Sequence, residues 1–220
     1  MDHYTSYFAD WNYSLLMQQN LKQSPEFCEE ELKENDARIN KLLYEMLSIA
    51  QKESGVKANF SPPQVWSTPL EHSMSISSEK LKLEFVFGVR TSEFYLEASF
   101  NYPEQIGKVD DQFWLQLAHL SSLGNLQFNG SASPDTKLSR NLRKKNRVLK
   151  STIFEVIQHY IVCADDECFN DGALEISWGL NTDFSDLLAS LAAAFSCVYK
   201  MNYQLYRRHY IIEKSRQNRN

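Results

Sequence analysis

The chain has 220 residues and a formal net charge of −5, from 23 basic and 28 acidic side chains. Its apolar and charged fractions are those of an ordinary globular protein that is long enough to bury a core. The 7 glycines are few for this length and do not cluster. This excludes a glycine-rich phosphate-binding loop and favours long helices.

The first 55 residues are predicted to form two helices. An N-terminal extension, 1–23, carries aromatic and apolar residues at helical spacing. These residues are Tyr4, Phe8, Trp11 and Leu15. A Ser-Pro-Glu sequence at 24–26 resembles a helix start, and Gly55 is expected to end the second helix. The proline-rich segment 60–69 is predicted to be an extended connector with no strand or helix of its own.

Three strands with alternating apolar and polar residues follow, at 74–76, 81–89 and 94–100. This alternation predicts an antiparallel meander whose polar face lies in water.

The second half of the chain adds further elements. Asp110 is the predicted cap of a helix, and short strands are expected near 126–128 and at 174–178. A long helix is predicted for 183–214, and its apolar stretch of about 13 residues is too short to span a bilayer. The fold class is therefore α+β, a single domain spanning 1–220. A small antiparallel sheet, the three-stranded meander plus one or two later strands, packs against long helices.

Charge is distributed unevenly along the chain. Residues 1–136 hold 10 basic and 19 acidic side chains, whereas residues 137–220 hold 13 and 9. Seven cations and no acid lie within 137–150, in a predicted helix that forms part of an insertion at about 130–171. Five of the cations share one helix face: Lys137, Arg140, Arg143, Lys144 and Arg147. The opposite face is apolar and includes Ile153 and Val156.

The cationic face indicates an anionic partner without naming it. Five cations on one face would suffice to neutralise the phosphates of a nucleic acid. The face carries no aromatic residue, which argues against stacking on single-stranded bases. An acidic protein surface or plain solvation would satisfy the same side chains, so these alternatives stay open.

No motif for catalysis or for a metal site is recognisable. His159, Cys163 and Cys168 come nearest to a zinc site, but a second ligand pair is missing. Glu84, Glu93 and Glu97 are expected on the wet face of the sheet rather than as a catalytic carboxylate pair. The four cysteines form no CxxC pair, and the first residues do not resemble a secretory leader. We therefore expect a cytoplasmic protein with free thiols, no metal, no cofactor and no enzymatic activity.

Tyrosines and arginines occur together near the C-terminus, a composition typical of interface anchors. Tyr206 and Tyr210 are the candidate anchors. Core packing with the phenol tips in solvent is the alternative.

The order of elements resembles that of the specific chaperones of type III secretion systems. The resemblance rests on the second helix, the strands at 81–89 and 94–100, the helix after Asp110, the strand at 174–178 and the closing helix. The extension 1–23 and the insertion 130–171 are additions to that pattern. The resemblance implies a cytoplasmic protein that forms homodimers and binds an extended client segment. It further implies that Phe113, Leu117 and Leu120 serve self-association, while Val86 and Tyr95 receive a client strand.

These observations predict a non-enzymatic protein-binding module, chaperone-like or an adaptor. One alternative is a nucleic-acid-associated protein that binds phosphates through helix 137–150. A second is an enzyme whose site is not recognisable in the sequence.

Overall fold

The computed structural model describes residues 11–23, 29–68, 71–90, 92–129, 152–153, 156–157 and 172–218. Its helices are α1 (Trp11–Gln23), α2 (Glu29–Glu53), α3 (Asp111–Leu120) and α4 (Phe184–Gln217), and a 3₁₀ helix spans Pro103–Lys108. Its strands are β1 (Gln64–Thr68), β2 (Glu71–Ser78), β3 (Leu83–Arg90), β4 (Glu93–Ser99), β5 (Asn125–Asn129) and β6 (Ala173–Gly179).

The described strands form one antiparallel sheet in the order β1-β2-β3-β4-β6-β5. β1 to β4 follow one another as neighbours, as a meander does. β6 then pairs with β4, which leaves β5 on the outer edge. The predicted α+β fold, with a meander and two later strands beside long helices, is confirmed.

The core lies between the sheet and the helices α2, α3 and α4. The register places Phe85, Phe87 and Phe94 on the helix-covered face, and all three are fully buried. From α4, Phe195 reaches the sheet with its ring centroid 4.7 Å from that of Phe85. Each such side chain stabilises the fold by about 1.5–3 kcal/mol through the removal of apolar surface from water.

Aspartates fix the starts of two helices, because their side chains accept hydrogen bonds from otherwise unpaired backbone amides. Asp110 accepts from the amide of Gln112 at 3.1 Å, as the sequence predicts. At the start of α4, Asp183 accepts from the amide of Ser185 at 2.8 Å, and the hydrogen bonds from Ser185 lower the pKa of this carboxyl.

Two predictions about the sheet are wrong. The segment 60–69 is not a featureless connector, because its residues 64–68 form the edge strand β1. Pro62 and Pro63 precede this strand, so no proline interrupts its backbone pairing. The prediction that the whole polar face lies in water is also wrong, since Ser75, Ser177 and Glu175 on it are at most 6 % exposed, whereas Glu84 on the same face is exposed.

Residues 152–153 and 156–157 are helical, and they bring two of the predicted apolar residues to the core. Val156 is fully buried, and Ile153 packs against the core. The start of the extension at 1–10, the helix-start sequence 24–26 and the cationic residues of 137–150 lie outside the described residues. Among the described helices, α4 is long and apolar enough by length and composition to cross a membrane, and 56 % of its apolar window is buried inside the protein.

Candidate interaction surfaces

The predicted self-association residues are part of the core. Phe113, Leu117 and Leu120 on α3 are each 0 % exposed. The ring centroid of Phe113 lies 5.6 Å from that of Phe100, at the end of β4. These side chains pack within the chain, so the expectation that they form a surface for a second copy is corrected. The apolar residue that α3 does expose is Leu115, which is 57 % exposed.

Tyr95 lies on the expected face of the sheet but is not available to a client strand. It is 3 % exposed, and its hydroxyl donates a hydrogen bond to Glu71. The guanidinium of Arg90 covers the ring at 4.1 Å from its centroid. Burial and the bond to Glu71 raise the pKa of Tyr95 well above its usual value. The expectation for Tyr95 is therefore corrected, while Val86 on the same face is partly exposed.

Glu97 and Glu175 are direct cross-strand neighbours on this polar face. Arg90 donates a hydrogen bond to Glu175 at 2.5 Å, and its positive charge compensates the negative charge of this one of the two carboxylates. Burial, and then the negative charge of Glu175, raise the pKa of Glu97. Within the described residues, no group of three or more His, Cys, Asp or Glu side chains could hold a metal ion. The ion pair and the cross-strand contact of this cluster join β3, β4 and β6.

A polar network fixes α1 to the core. Asn35 on α2 donates to the backbone carbonyl of Ser14 at 2.9 Å and to the side-chain oxygen of Gln18 at 2.7 Å. Gln18 in turn donates to Asp36 at 2.6 Å, and the ring of His72 on β2 lies 3.4 Å from the same Asp36 oxygen. Because Asn35 and Gln18 are almost completely buried, their hydrogen bonds hold this part of the extension against the domain.

The edge strand β1 offers the clearest open surface. In the described part of the chain it pairs with β2 on one side only. Val65 is 48 % exposed and Trp66 is 57 % exposed, and the strand carries no charged residue. Exposed edges are usually protected by charges, proline or bulges. Prolines flank β1 but do not interrupt it, and an exposed edge strand without a charge can pair with a strand of another chain.

The opposite edge of the sheet differs. Thr152 donates to the backbone carbonyl of Leu126 on β5 at 3.0 Å, so this edge is contacted by the following segment. The residues of β5 are also mostly polar. Of the two edges, β1 is the one that combines apolar side chains with exposure.

A groove on the helix-covered side of the sheet lies at the N-terminal end of β1. It has a volume of about 470 Å³ and lies between α2 and the segment that leads into β1. Val56, Phe60 and Ile76 give it an apolar lining, and Tyr44 on its border is 48 % exposed. Such a groove can accept side chains from a strand that pairs with β1.

The two C-terminal anchor candidates lie on α4 as predicted. Tyr206 is partly buried and Tyr210 is 53 % exposed, with their ring centroids 6.3 Å apart. The candidate residues Lys137, Arg140, Arg143, Lys144 and Arg147, and the possible metal ligands His159, Cys163 and Cys168, lie outside the described residues.

Sequence reasoning missed Val65, Trp66 and Tyr44. Val65 and Trp66 are residues of high strand propensity, but the prolines on both sides of the segment favour an extended connector. No family model, curated protein or solved structure matches the chain.

Proposed function

We propose that the chain is a non-enzymatic protein-binding module that takes up an extended segment of a partner along the β1 edge. The observation that carries this proposal is the exposure of Trp66 and Val65 on an uncharged edge strand. A partner strand would complete the backbone hydrogen bonds of the edge, and alternate side chains of the partner would supply specificity.

The two faces of β1 would contact different parts of the partner. Val65 lies opposite Met74 of the core face, whereas Trp66 lies opposite Ser73 of the polar face. Side chains of the partner on the helix side would enter the groove beside Tyr44, and those on the other side would contact the indole of Trp66. Tryptophan and tyrosine are the residues most enriched at the energetic centres of interfaces.

Site-specific photo-crosslinking in the native host tests the proposal. A photoreactive phenylalanine analogue would replace Trp66 in one variant and Leu115 in another, since both positions are 57 % exposed and apolar. We expect a discrete protein adduct from position 66 and none from position 115. The same adducts from both positions would contradict the proposal.

A charge on the edge strand gives a second test. Trp66→Lys places a cation on the open edge without disturbing the core, and strand addition is disfavoured by such a charge. We expect Trp66→Lys to remove the adduct formed by an analogue at Val65, whereas Leu115→Lys leaves it in place. Persistence of the Val65 adduct in Trp66→Lys would overturn strand addition.

A further inference from the structure

A second surface lies on the part of α4 that extends past the sheet. The helix has 34 residues and is therefore about 51 Å long, whereas an eight-residue strand spans about 26 Å. The last fully buried side chain on α4 is Leu205. Beyond this residue the helix has solvent on its outer side.

The exposed face of this helix combines tyrosine with cations. At 100° per residue, Lys200, Tyr203, Arg207, Tyr210 and Lys214 lie within about 60° of one direction. We call these five residues the tyrosine–cation face. Tyr203 is 38 % exposed and Tyr210 is 53 % exposed. No acidic residue of α4 lies on the face.

The nearest acid on the helix is already paired. Glu213 lies about 80° around the helix from Tyr203 and accepts from Arg216 at 2.9 Å. The three cations of the face form no ion pair with any described residue. Their charge is therefore open to an anionic partner.

The tyrosine rings are held in place before any partner binds. Ring centroids along the helix are 6.4 Å apart for Tyr203 and Tyr206, and 6.3 Å for Tyr206 and Tyr210. Tyr102 supports Tyr206 from the core side and stacks on His209 with a centroid distance of 4.0 Å. Rings that are already ordered lose little conformational entropy on binding.

Lys80 joins this surface from the turn between β2 and β3. Its Nζ atom lies 4.7 Å from the ring centroid of Tyr203 and 5.9 Å from that of Tyr206. The cation–π contact adds a fourth positive charge to the three on the helix. It also occupies one face of the Tyr203 ring.

We propose that the tyrosine–cation face binds an acidic amphipathic helix of a protein partner. Tyr203 and Tyr210 form one ridge on the exposed part of α4. In the proposed complex this ridge packs against the apolar ridge of the partner helix. The cations beside the rings complement carboxylates on the borders of that ridge. The face extends over the 15 residues from Lys200 to Lys214, a rise of about 21 Å, which corresponds to about four turns of the partner helix.

The ring geometry favours this partner over a single-stranded nucleic acid. Base stacking needs open ring faces. Lys80 covers Tyr203, and Tyr206 lies between the two exposed tyrosines. No residue of the tyrosine–cation face belongs to β1, so variants of the two surfaces test the two proposals independently.

Fluorescence anisotropy on the full chain tests the proposal with three labelled probes. The first is a designed 16-residue helical peptide with leucine along one face and glutamate on both borders. The second is the same peptide with lysine in place of glutamate, and the third is a 15-nucleotide oligo-dT. We expect the glutamate peptide to bind at least about tenfold more tightly than either other probe, and more weakly as salt increases.

Two variants and a control assign the binding to the face. The first variant combines Arg207→Glu with Lys214→Glu, and the second combines Tyr203→Ala with Tyr210→Ala. Each should weaken the binding of the glutamate peptide at least about tenfold and leave the circular dichroism spectrum unchanged. Lys41→Glu with Lys52→Glu is the matched control, because both residues are exposed on α2. Absent binding of the glutamate peptide, equal binding of the lysine peptide, tighter binding of oligo-dT, or full binding by either variant would overturn the proposal.

Discussion

The side chain of Tyr95 on β4 crosses β3 and donates a hydrogen bond to Glu71 on β2. Gly88 lies beneath the phenol, where a Cβ atom added to the glycine would be 2.6 Å from the Tyr95 hydroxyl and 2.8 Å from the carbonyl oxygen of His72. The ring therefore lies flat on the sheet because β3 has a glycine at this position. This contact explains why the polar face is closed to water beside Tyr95.

Gly88→Ala should destabilise the fold. The added methyl group cannot be accommodated without movement of the Tyr95 ring or of the β2 backbone, and such overpacking costs about 1–3 kcal/mol. Urea unfolding would measure the loss in free energy of unfolding. Gly107→Ala is the control, because a Cβ atom at Gly107 meets nothing within 4 Å. Equal stabilities of the two variants would contradict the packing described for Tyr95.

Leu117→Ala should lower the free energy of unfolding and should leave the oligomeric state unchanged. Leu117 is fully buried, and removal of a buried leucine side chain costs about 2–5 kcal/mol. Leu115→Ala on the same helix removes a side chain that is 57 % exposed and should change the free energy of unfolding by less than about 0.5 kcal/mol. Chemical denaturation measures both variants. A change in oligomeric state without a loss of stability in Leu117→Ala would restore the self-association role.

Asn35→Ala should loosen α1. The substitution leaves the carbonyl of Ser14 and the side chain of Gln18 without their buried donor, a loss of about 1–3 kcal/mol. Limited proteolysis should then cleave α1 before the rest of the domain. Lys33→Ala removes an ion pair with Glu29 at 2.6 Å that is exposed to solvent on both sides and contributes little to stability, so it should leave the cleavage rate almost unchanged. Protection of α1 in Asn35→Ala would refute the role of the network.

Glu97→Gln should stabilise the protein at neutral pH. The pKa of Glu97 in the folded state is raised above its ordinary value of 4.5, chiefly by burial and then by Glu175. Below pH 4.5 the carboxyl is protonated in both the folded and the unfolded chain, so it causes no penalty. As the pH rises above 4.5, the unfolded chain ionises first and the fold loses stability until the folded-state pKa is passed.

The stabilisation by Glu97→Gln should therefore appear above pH 4.5 and vanish below it. Urea unfolding at pH 4 and pH 7 measures this difference. Glu84→Gln, at an exposed position of β3, serves as the comparison. If Glu97→Gln raised the free energy of unfolding equally at both pH values, the ionisation of Glu97 would not be the cause of the stabilisation.

The sequence by itself determined the α+β class, the three strands of the meander and the long closing helix. These elements follow from local rules, because alternation places Phe85 and Phe87 on one face and an aspartate side chain caps a helix that begins beside it. The apolar faces of the helices were visible for the same reason. Periodicity specifies which side of an element is buried.

Only the tertiary structure decided which surfaces remain open. Leu117 and Tyr206 both follow helical periodicity, but the packing of α3 against α4 leaves Leu117 completely buried, while Tyr206 lies where α4 begins to extend beyond the core. β1 is an edge strand because its backbone pairs with β2. No local sequence pattern encodes this pairing. The contact of Lys80 with Tyr203 joins residues more than 120 positions apart, so its formation depends on how the chain is folded.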